Sequence, residues 1–393
     1  MMLKQQPKIR NIFVLLTLAL GLVACQGSSS ENNEPTPVST PIPVAPQGTW
    51  KQYSVQSFGS GSELGFVNFM TAYNNQLAIA GTNTSMQPIL ILCRNAVSSC
   101  GNFTSSGLSN VQSISALEFD SNNNLYGTFV VPQNLTINPT RANVMKLPAA
   151  TGTWLTFNST NGIGLGLDVS NLGILSSSSF AIPSPGFGWA HYGSVFLYDA
   201  NDNEIAHSIN HDAGALSYVT SDGLGKIYVA GIGYYDDVRP SEGSHVWTWN
   251  YKESDPNLAF NKIESSGVQF SMINGMTSNN AGSIYISGQD QLSVTHVWQY
   301  NGSKLQDLAF PGYTISSLSY MPEGNSGYII VGGVDNDFNG QVWSYNLQIE
   351  SWAKLDVPSS SSIGVVTVDS STNKLYVSGQ DQRGTNRVWT FFN

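Results

Sequence analysis

Apolar positions fall into two regimes along the chain. Residues 12–24 (IFVLLTLALGLVA) are an unbroken apolar run behind Lys4, Lys8 and Arg10, with no acid among them. From residue 49 onward the apolar positions come in short stretches divided by Gly, Asn, Asp and Ser. Such stretches, rich in β-branched and aromatic residues and bounded by turn formers, predict strands. Four of them end in a small residue and Gly: Ile227–Gly231, Ile284–Gly288, Ile329–Gly333 and Leu375–Gly379. Each leads through a polar loop to Val-Trp, at Trp247, Trp298, Trp343 and Trp389, spaced 51, 45 and 46 residues apart.

Upstream of the small-Gly strands stand Met70-Thr71, Val219-Thr220, Met276-Thr277 and Val366-Thr367. Weaker copies of the pattern lie at Leu77–Gly81 with Ile89–Leu92, at Asn124–Gly127 with Val144–Leu147, and at Leu172–Leu175 with Val195–Tyr198. The period predicts seven units of roughly 45–55 residues, each of four short strands. That is the signature of an all-β, seven-bladed β-propeller over residues 49–393. The last unit stops after its third strand, at Val388–Asn393. Gly48–Tyr53 matches the fourth-strand copy Gly152–Phe157, so the N-terminal strand is expected to complete the last blade.

Gly332-Gly333, then Tyr345, then Trp352 seven positions later resembles a kelch repeat; Leu147 and Trp154 keep the seven-residue step. The other units keep only the second Gly. The chain is similar to a degenerate member of the galactose oxidase/kelch class. That resemblance implies the fold and says almost nothing of function. A copper site of the galactose-oxidase kind is not carried over, because no His pair matches it.

Composition narrows the picture. Charged residues are 11% of the chain, against about 25% ordinarily. With 38 Gly, 17 Phe, 9 Trp and 17 Tyr, the mix excludes a coiled coil and a disordered chain. A net charge of −10 argues against nucleic acid as a partner.

The 13-residue apolar run is too short to cross a ~30 Å hydrocarbon core as a helix, so residues 1–24 read as a signal peptide. Leu22-Val23-Ala24-Cys25 resembles a lipobox, which implies lipidation of Cys25 and a membrane anchor. Cleavage there would leave 13 basic and 26 acidic residues. Gln26 follows the cysteine, where an Asp would favour inner-membrane retention; the resemblance therefore points to the outer membrane of a bacterial envelope. Residues 25–48, Pro- and Ser-rich, read as the lipidated Cys and an extended tether. Cys93 and Cys100 have the separation of a small hairpin disulfide in an oxidising compartment.

Candidate chemistry gathers on the loops between second and third strands, which share one face with the connections between blades. Asp236, Asp237, Asp290, Asp335, Asp337 and Asp381 fall there, with Arg239, Arg383, His245 and His296 nearby. The acids read either as a ring that binds a cation or a sugar, or as turn formers that cap their own backbone. Residues 184–192 form a Gly/Pro loop carrying Trp189, His191 and Tyr192, either a stacking surface for a ligand or a flap folded over the blade edge. No zinc spacing, nucleophile elbow or phosphate loop occurs. No metal and no cofactor are expected. These features favour a non-catalytic lipoprotein whose propeller binds a protein or an envelope glycan. The alternative is a sugar-active enzyme, of lyase or epimerase type, with its site at the channel mouth.

Overall fold

A computed structural model describes residues 45–54, 64–94, 100–102, 111–132, 140–161, 163–184, 188–236, 243–255, 258–263, 268–323 and 326–392. Cys25, the signal segment and most of the tether lie outside the described residues, as do Asp237 and Arg239. All regular structure among the described residues is β-strand.

Antiparallel sheets form in chain order. The first comprises Leu64–Tyr73, Gln76–Asn83, Pro88–Cys93 and Cys100–Asn102. The second comprises Ser113–Phe119, Leu125–Pro132, Thr140–Leu147 and Leu155–Asn161. In the third, Ile163–Ser170, Gly173–Ser184, Gly188–Tyr198 and Glu204–Asn210 are joined by the short Tyr235–Asp236. An eight-stranded sheet has two halves. Ala213–Ser221, Ile227–Gly233, Ser244–Trp249 and Phe260–Lys262 make one. Phe270–Ser278, Ile284–Asp290, Thr295–Tyr300 and Leu305–Asp307 make the other, and Ser244 pairs with Phe270 between them. Thr314–Glu323, Ser326–Val334, Gly340–Asn346 and Ser351–Leu355 follow. In the last sheet Ser360–Asp369, Lys374–Asp381 and Asn386–Phe392 are completed by Thr49–Ser54, which pairs with Asn386–Phe392 from Thr49↔Phe392 to Ser54↔Arg387.

The leading strand of each group packs beside the leading strands before and after it, and Ser360–Asp369 packs beside Leu64–Tyr73. Second strands are therefore covered on both faces, which is why they read as unbroken apolar runs rather than alternating ones. Leu77 and Ile79 pack with Tyr376 and Val388 of the last sheet, while Ala78 and Ala80 face Leu117, Phe129 and Trp154 of the second. Each Val-Trp tryptophan fills the seam to the preceding group. Trp247 packs on Leu175 and Val195, Trp298 on Tyr228 and Val246, Trp343 on Tyr285 and Val297, and Trp389 on Ile330 and Val342. Trp352 lies 5.0 Å from the Tyr345 ring and donates its indole N–H to the carbonyl of Leu308.

The first and last sheets are also latched by a polar contact. Asp369 is fully buried and accepts the backbone N–H groups of Asn74 and Asn75, at 3.1 and 2.7 Å. Both asparagines have positive φ, the requirement of a tight two-residue hairpin turn. Cys93 and Cys100 are joined by a disulfide that closes the end of the first sheet.

In the second and third sheets, strand pairing extends into the connections between second and third strands that the sequence predicts as loops. Ser176–Gly193 continues as a paired hairpin out to Ser184↔Gly188, and Gly127–Asn143 keeps its pairing to Pro132↔Thr140. Their Ser, Thr, Val and aromatic residues satisfy strand geometry, so the pairing outruns the repeat unit.

Each leading strand carries a β-bulge near its middle. Opposite the residue before the bulge stands the repeated Gly of the second strand. A Cβ on Gly81, Gly231, Gly288, Gly333 or Gly379 would lie 1.8–2.2 Å from a carbonyl oxygen of the leading strand. Gly379→Ala should therefore cost at least the ~1–3 kcal/mol typical of overpacking. A thermal melt beside exposed Gln382→Ala checks this; equal melting points would mean the strand yields at no cost.

Candidate functional site

The leading strands enclose a central cavity of about 660 Å³. Its lining is built in layers by the bulges. Asn68, Ser115, Leu165, Ser217, Asn274, Ser316 and Gly364 occupy the bulge positions and all line the cavity. Three residues further along the same strands stand Thr71, Glu118, Asp168, Thr220, Thr277, Ser319 and Thr367. This second layer is hydroxyl-bearing except at two adjacent strands, where it is acidic.

The two acids are held by their neighbours. Thr71 donates its hydroxyl to Glu118 Oε1 at 3.2 Å, and the Ser221 N–H donates to Asp168 Oδ2 at 3.2 Å. Thr220 adds a side-chain hydrogen bond to Asp168. Among the described residues no Lys, Arg or His lines the cavity. Both carboxyls keep some accessible surface, but it faces the narrow channel, and surrounding protein strips most of their hydration. Burial, and then the charge of Asp168, push Glu118 up to about 8, against weaker lowering by Thr71 and the backbone. Burial pushes Asp168 up to about 7, opposed by its bonds from Ser221 and Thr220. Both carboxyls are thus shifted up, each chiefly by burial. Sequence reading passed over it. Its signal was an acid at a position where the other units carry Thr or Ser.

The loop-face acids have a different setting. Asp290 accepts the N–H groups of Leu292 and Val294, Asp335 those of Asp337 and Asn339, and Asp381 those of Arg383 and Thr385. Each caps its own turn with one oxygen. The other oxygen faces His296 Nε2 at 3.4 Å, Lys354 Nζ at 3.4 Å and Arg387 Nε at 2.8 Å respectively. Hydrogen bonds from the turn backbone hold Asp290 and Asp381 below the usual carboxylate range. Asp335 is lowered as well; burial opposes the shift, and the Asn339 and Asp337 amides and Lys354 outweigh it. Asp337 and Arg383 are exposed, and no group of three or more His, Cys, Asp and Glu among the described residues is placed to hold a metal.

His245 and His296 occupy equivalent positions with different partners. His296 Nδ1 meets Asp307 at 2.8 Å and its ring stacks on Trp298, whereas His245 faces Lys262 Nζ at 3.3 Å. The third sheet's hairpin draws another set together. Pro183 pairs with Trp189, Ala190 with Asp236 and His191 with Tyr235, while the Tyr192 ring packs 5.2 Å from His211 and 5.7 Å from Tyr234. The candidate residues thus form separate local groups on different sheets.

No family model matches the sequence, and no curated protein is similar to it. Solved structures do share its fold. The β-propeller domain of the trilobed protease from Pyrococcus furiosus, described as having an open velcro topology, is similar at a TM-score of 0.57 and 7% identity, covering 84% of this chain and 96% of that one. An acylaminoacyl peptidase from Pyrococcus horikoshii is similar at a TM-score of 0.53 and 9% identity, covering 80% of this chain and 49% of that one. This chain spans about half of the peptidase's length. The fold is an all-β propeller. At such identities the likeness is one of fold alone.

The propeller's loop face carries most of its exposed large apolar side chains. Phe66, Met86, Ile163, Ile232, Met272, Leu292, Val294, Tyr313 and Phe338 stand at the starts of leading strands or between second and third strands. Leu292 is 84% and Phe338 69% exposed, and Phe338 packs 5.3 Å from Tyr313. Leu155, Ile205, Leu224 and Leu258 are spread over the turn side.

The raised channel carboxyls predict a pH dependence. A carboxyl held neutral by the fold stabilises it least once the unfolded state is ionised, so stability should fall as pH rises from about 4 towards 8. One proton gives at most about 1.4 kcal/mol per pH unit. Melting in metal-free buffer from pH 5 to 8 should show this decline, and Glu118→Gln should flatten it. An unchanged slope in the variant would assign the dependence elsewhere.

Proposed function

We propose that this chain is a lipid-anchored bacterial envelope protein whose propeller binds a protein partner through its loop face, without catalysis. Residues 1–24 serve as signal peptide, Cys25 carries the lipid, and residues 26–48 tether a kelch-like disc of seven blades. The last blade is completed by Thr49–Ser54. The lipobox and Gln26 support an outer-membrane location. The pairing of Thr49–Ser54 with Asn386–Phe392, and the two halves of the eight-stranded sheet, support the closure and the blade count.

One observation carries the binding role: the apolar side chains gathered on the loop face. Exposed apolar patches on an otherwise polar surface mark interaction sites, and aromatic anchors dominate protein interfaces. Tyr313 and Phe338 supply such a pair beside Leu292 and Val294. Asp290, Asp335 and Asp381 each cap their own turn, which favours this reading over a sugar-active one.

Two tests follow. Cys25→Ser should move the protein from membranes to the soluble fraction; retention on membranes would show that lipid is not the anchor. A photo-crosslinker at Phe338 should trap an envelope protein that one at Leu224 does not, and Tyr313→Ala with Phe338→Ala should weaken that complex by roughly 30-fold or more at an unchanged melting point. Trapping only from Leu224 would place the interface on the opposite face.

A further inference from the structure

Across the seam between the second and third sheets, an ion pair fills the space beside the buried Tyr126 and Tyr198. Lys146 stands opposite Tyr126 and reaches Asp202, in the turn after Tyr198, at 3.1 Å. The corresponding seam between the two halves of the eight-stranded sheet lacks that pair. Thr248 stands opposite Tyr228, and Gly302 lies in the turn after Tyr300. Asp202 and Gly302 share a positive φ, 67° and 87°. With both longer side chains replaced, a cavity of about 500 Å³ opens on the turn side. That volume falls within the ~300–1,000 Å³ of small-molecule sites. Tyr228 and Tyr300 meet edge to face at 6.0 Å in its wall. The half-buried Tyr251, the amides of Asn250 and Asn261, and the ammonium groups of Lys226 and Lys252 complete the chemistry. No acid among the described residues lines the cavity, in a chain of 26 acidic and 16 basic residues. Asp222 approaches Tyr228, but its carboxylate caps a turn through the Leu224 and Lys226 amides. Among the described residues neither lysine enters an ion pair, whereas Lys146 and Lys354 do. A Cβ on Gly302 would lie 3.5 Å from Lys226 Nζ, so a cation stands beside the place where the other seam puts a carboxylate. The next seam shows what the repeat alone supplies. Its pocket of about 310 Å³ keeps two tyrosines, Tyr285 and Tyr345, but has Glu350 and no lysine.

We propose that this pocket binds an acidic saccharide, a pyranose unit bearing a carboxylate. Lys226 and Lys252 meet the carboxylate, as Lys146 meets that of Asp202. The rings of Tyr251 and Tyr300 supply a flat apolar surface for the C–H face of the sugar. Asn250, Asn261 and Thr248 carry groups that both donate and accept, which matches sugar hydroxyls. Asn250 spends its carbonyl oxygen on the Lys252 N–H and keeps its amide donors. A nucleic acid is a poorer occupant, because its repeated phosphates need a track of basic residues and two lysines in a pocket are not one. The site lies on the side opposite the apolar loop face, so a ligand here leaves that face free.

The test titrates the purified full-length protein calorimetrically with trigalacturonate and with its methyl ester, which keeps the rings and removes the charge. Wild type should bind the acid at one site per chain and the ester roughly tenfold more weakly, as loss of charge-assisted hydrogen bonds implies. Lys226→Gln with Lys252→Gln should lower affinity for the acid by a similar factor at an unchanged melting point, since both side chains are exposed. Thr248→Lys with Gly302→Asp rebuilds the ion pair of the other seam and should abolish binding. Asp at the second position accepts a positive φ, as Asp202 does. The lysine variant decides should the filled pocket fail to fold. No binding by wild type at millimolar sugar, or undiminished binding by both variants, would overturn the proposal. Equal affinity for the ester would overturn the role of the lysines. Displacement of the sugar by inorganic phosphate at matching concentrations would overturn the choice of a saccharide in favour of a simple anion.

Discussion

A backbone carbonyl pressed into the space of a missing side chain recurs wherever the repeated Gly of a second strand meets its leading strand. On five leading strands a carbonyl two residues before the cavity-lining bulge is turned towards the second strand, and at Gly81, Gly231, Gly288, Gly333 and Gly379 that oxygen sits where a Cβ would be. Bulges bend and twist the strands they interrupt. Repeated at the same register, they bring successive leading strands around a common axis. The bulge residues two positions later line the channel, so the bulges that bend the strands also furnish its lining.

Packing explains which parts of this were legible in the sequence. Small-Gly and Val-Trp recur because a carbonyl forbids any side chain at the first and a seam between sheets demands a large one at the second. Both are local needs met by one residue type, so they survive as a visible period. The reach of the strands was less legible. Ser, Thr and Ala between Ser176 and Gly193 look like loop residues until pairing partners are known. The acids were least legible of all. Asp290, Asp335 and Asp381 cap turns, a use that composition cannot tell from ligand binding. Glu118 and Asp168 stood out only as departures from Thr or Ser in an aligned column, and burial, which gives them their character, is a property of the assembled channel.

The result is a division between two surfaces. On the loop face Asp335 and Asp381 are paired with Lys354 and Arg387, Asp290 faces His296, and large apolar side chains stand exposed beside them. Inside the channel the lining is mixed: Leu165, Asn68 and Asn274 stand with several hydroxyls, and Glu118 and Asp168 face the cavity with no basic side chain among its described lining.

The pairing of Thr49 with Phe392 has a topological consequence. It sets the two ends of the folded domain side by side on neighbouring strands, while Asp369 and its hold on Asn74 and Asn75 join the first and last sheets independently of chain connectivity. The order of the sheets around the axis is therefore fixed by contacts alone. Joined by a short linker at the old ends and reopened in a turn such as that at Asn279–Asn280, the same residues would meet the same neighbours: the domain is built to tolerate circular permutation.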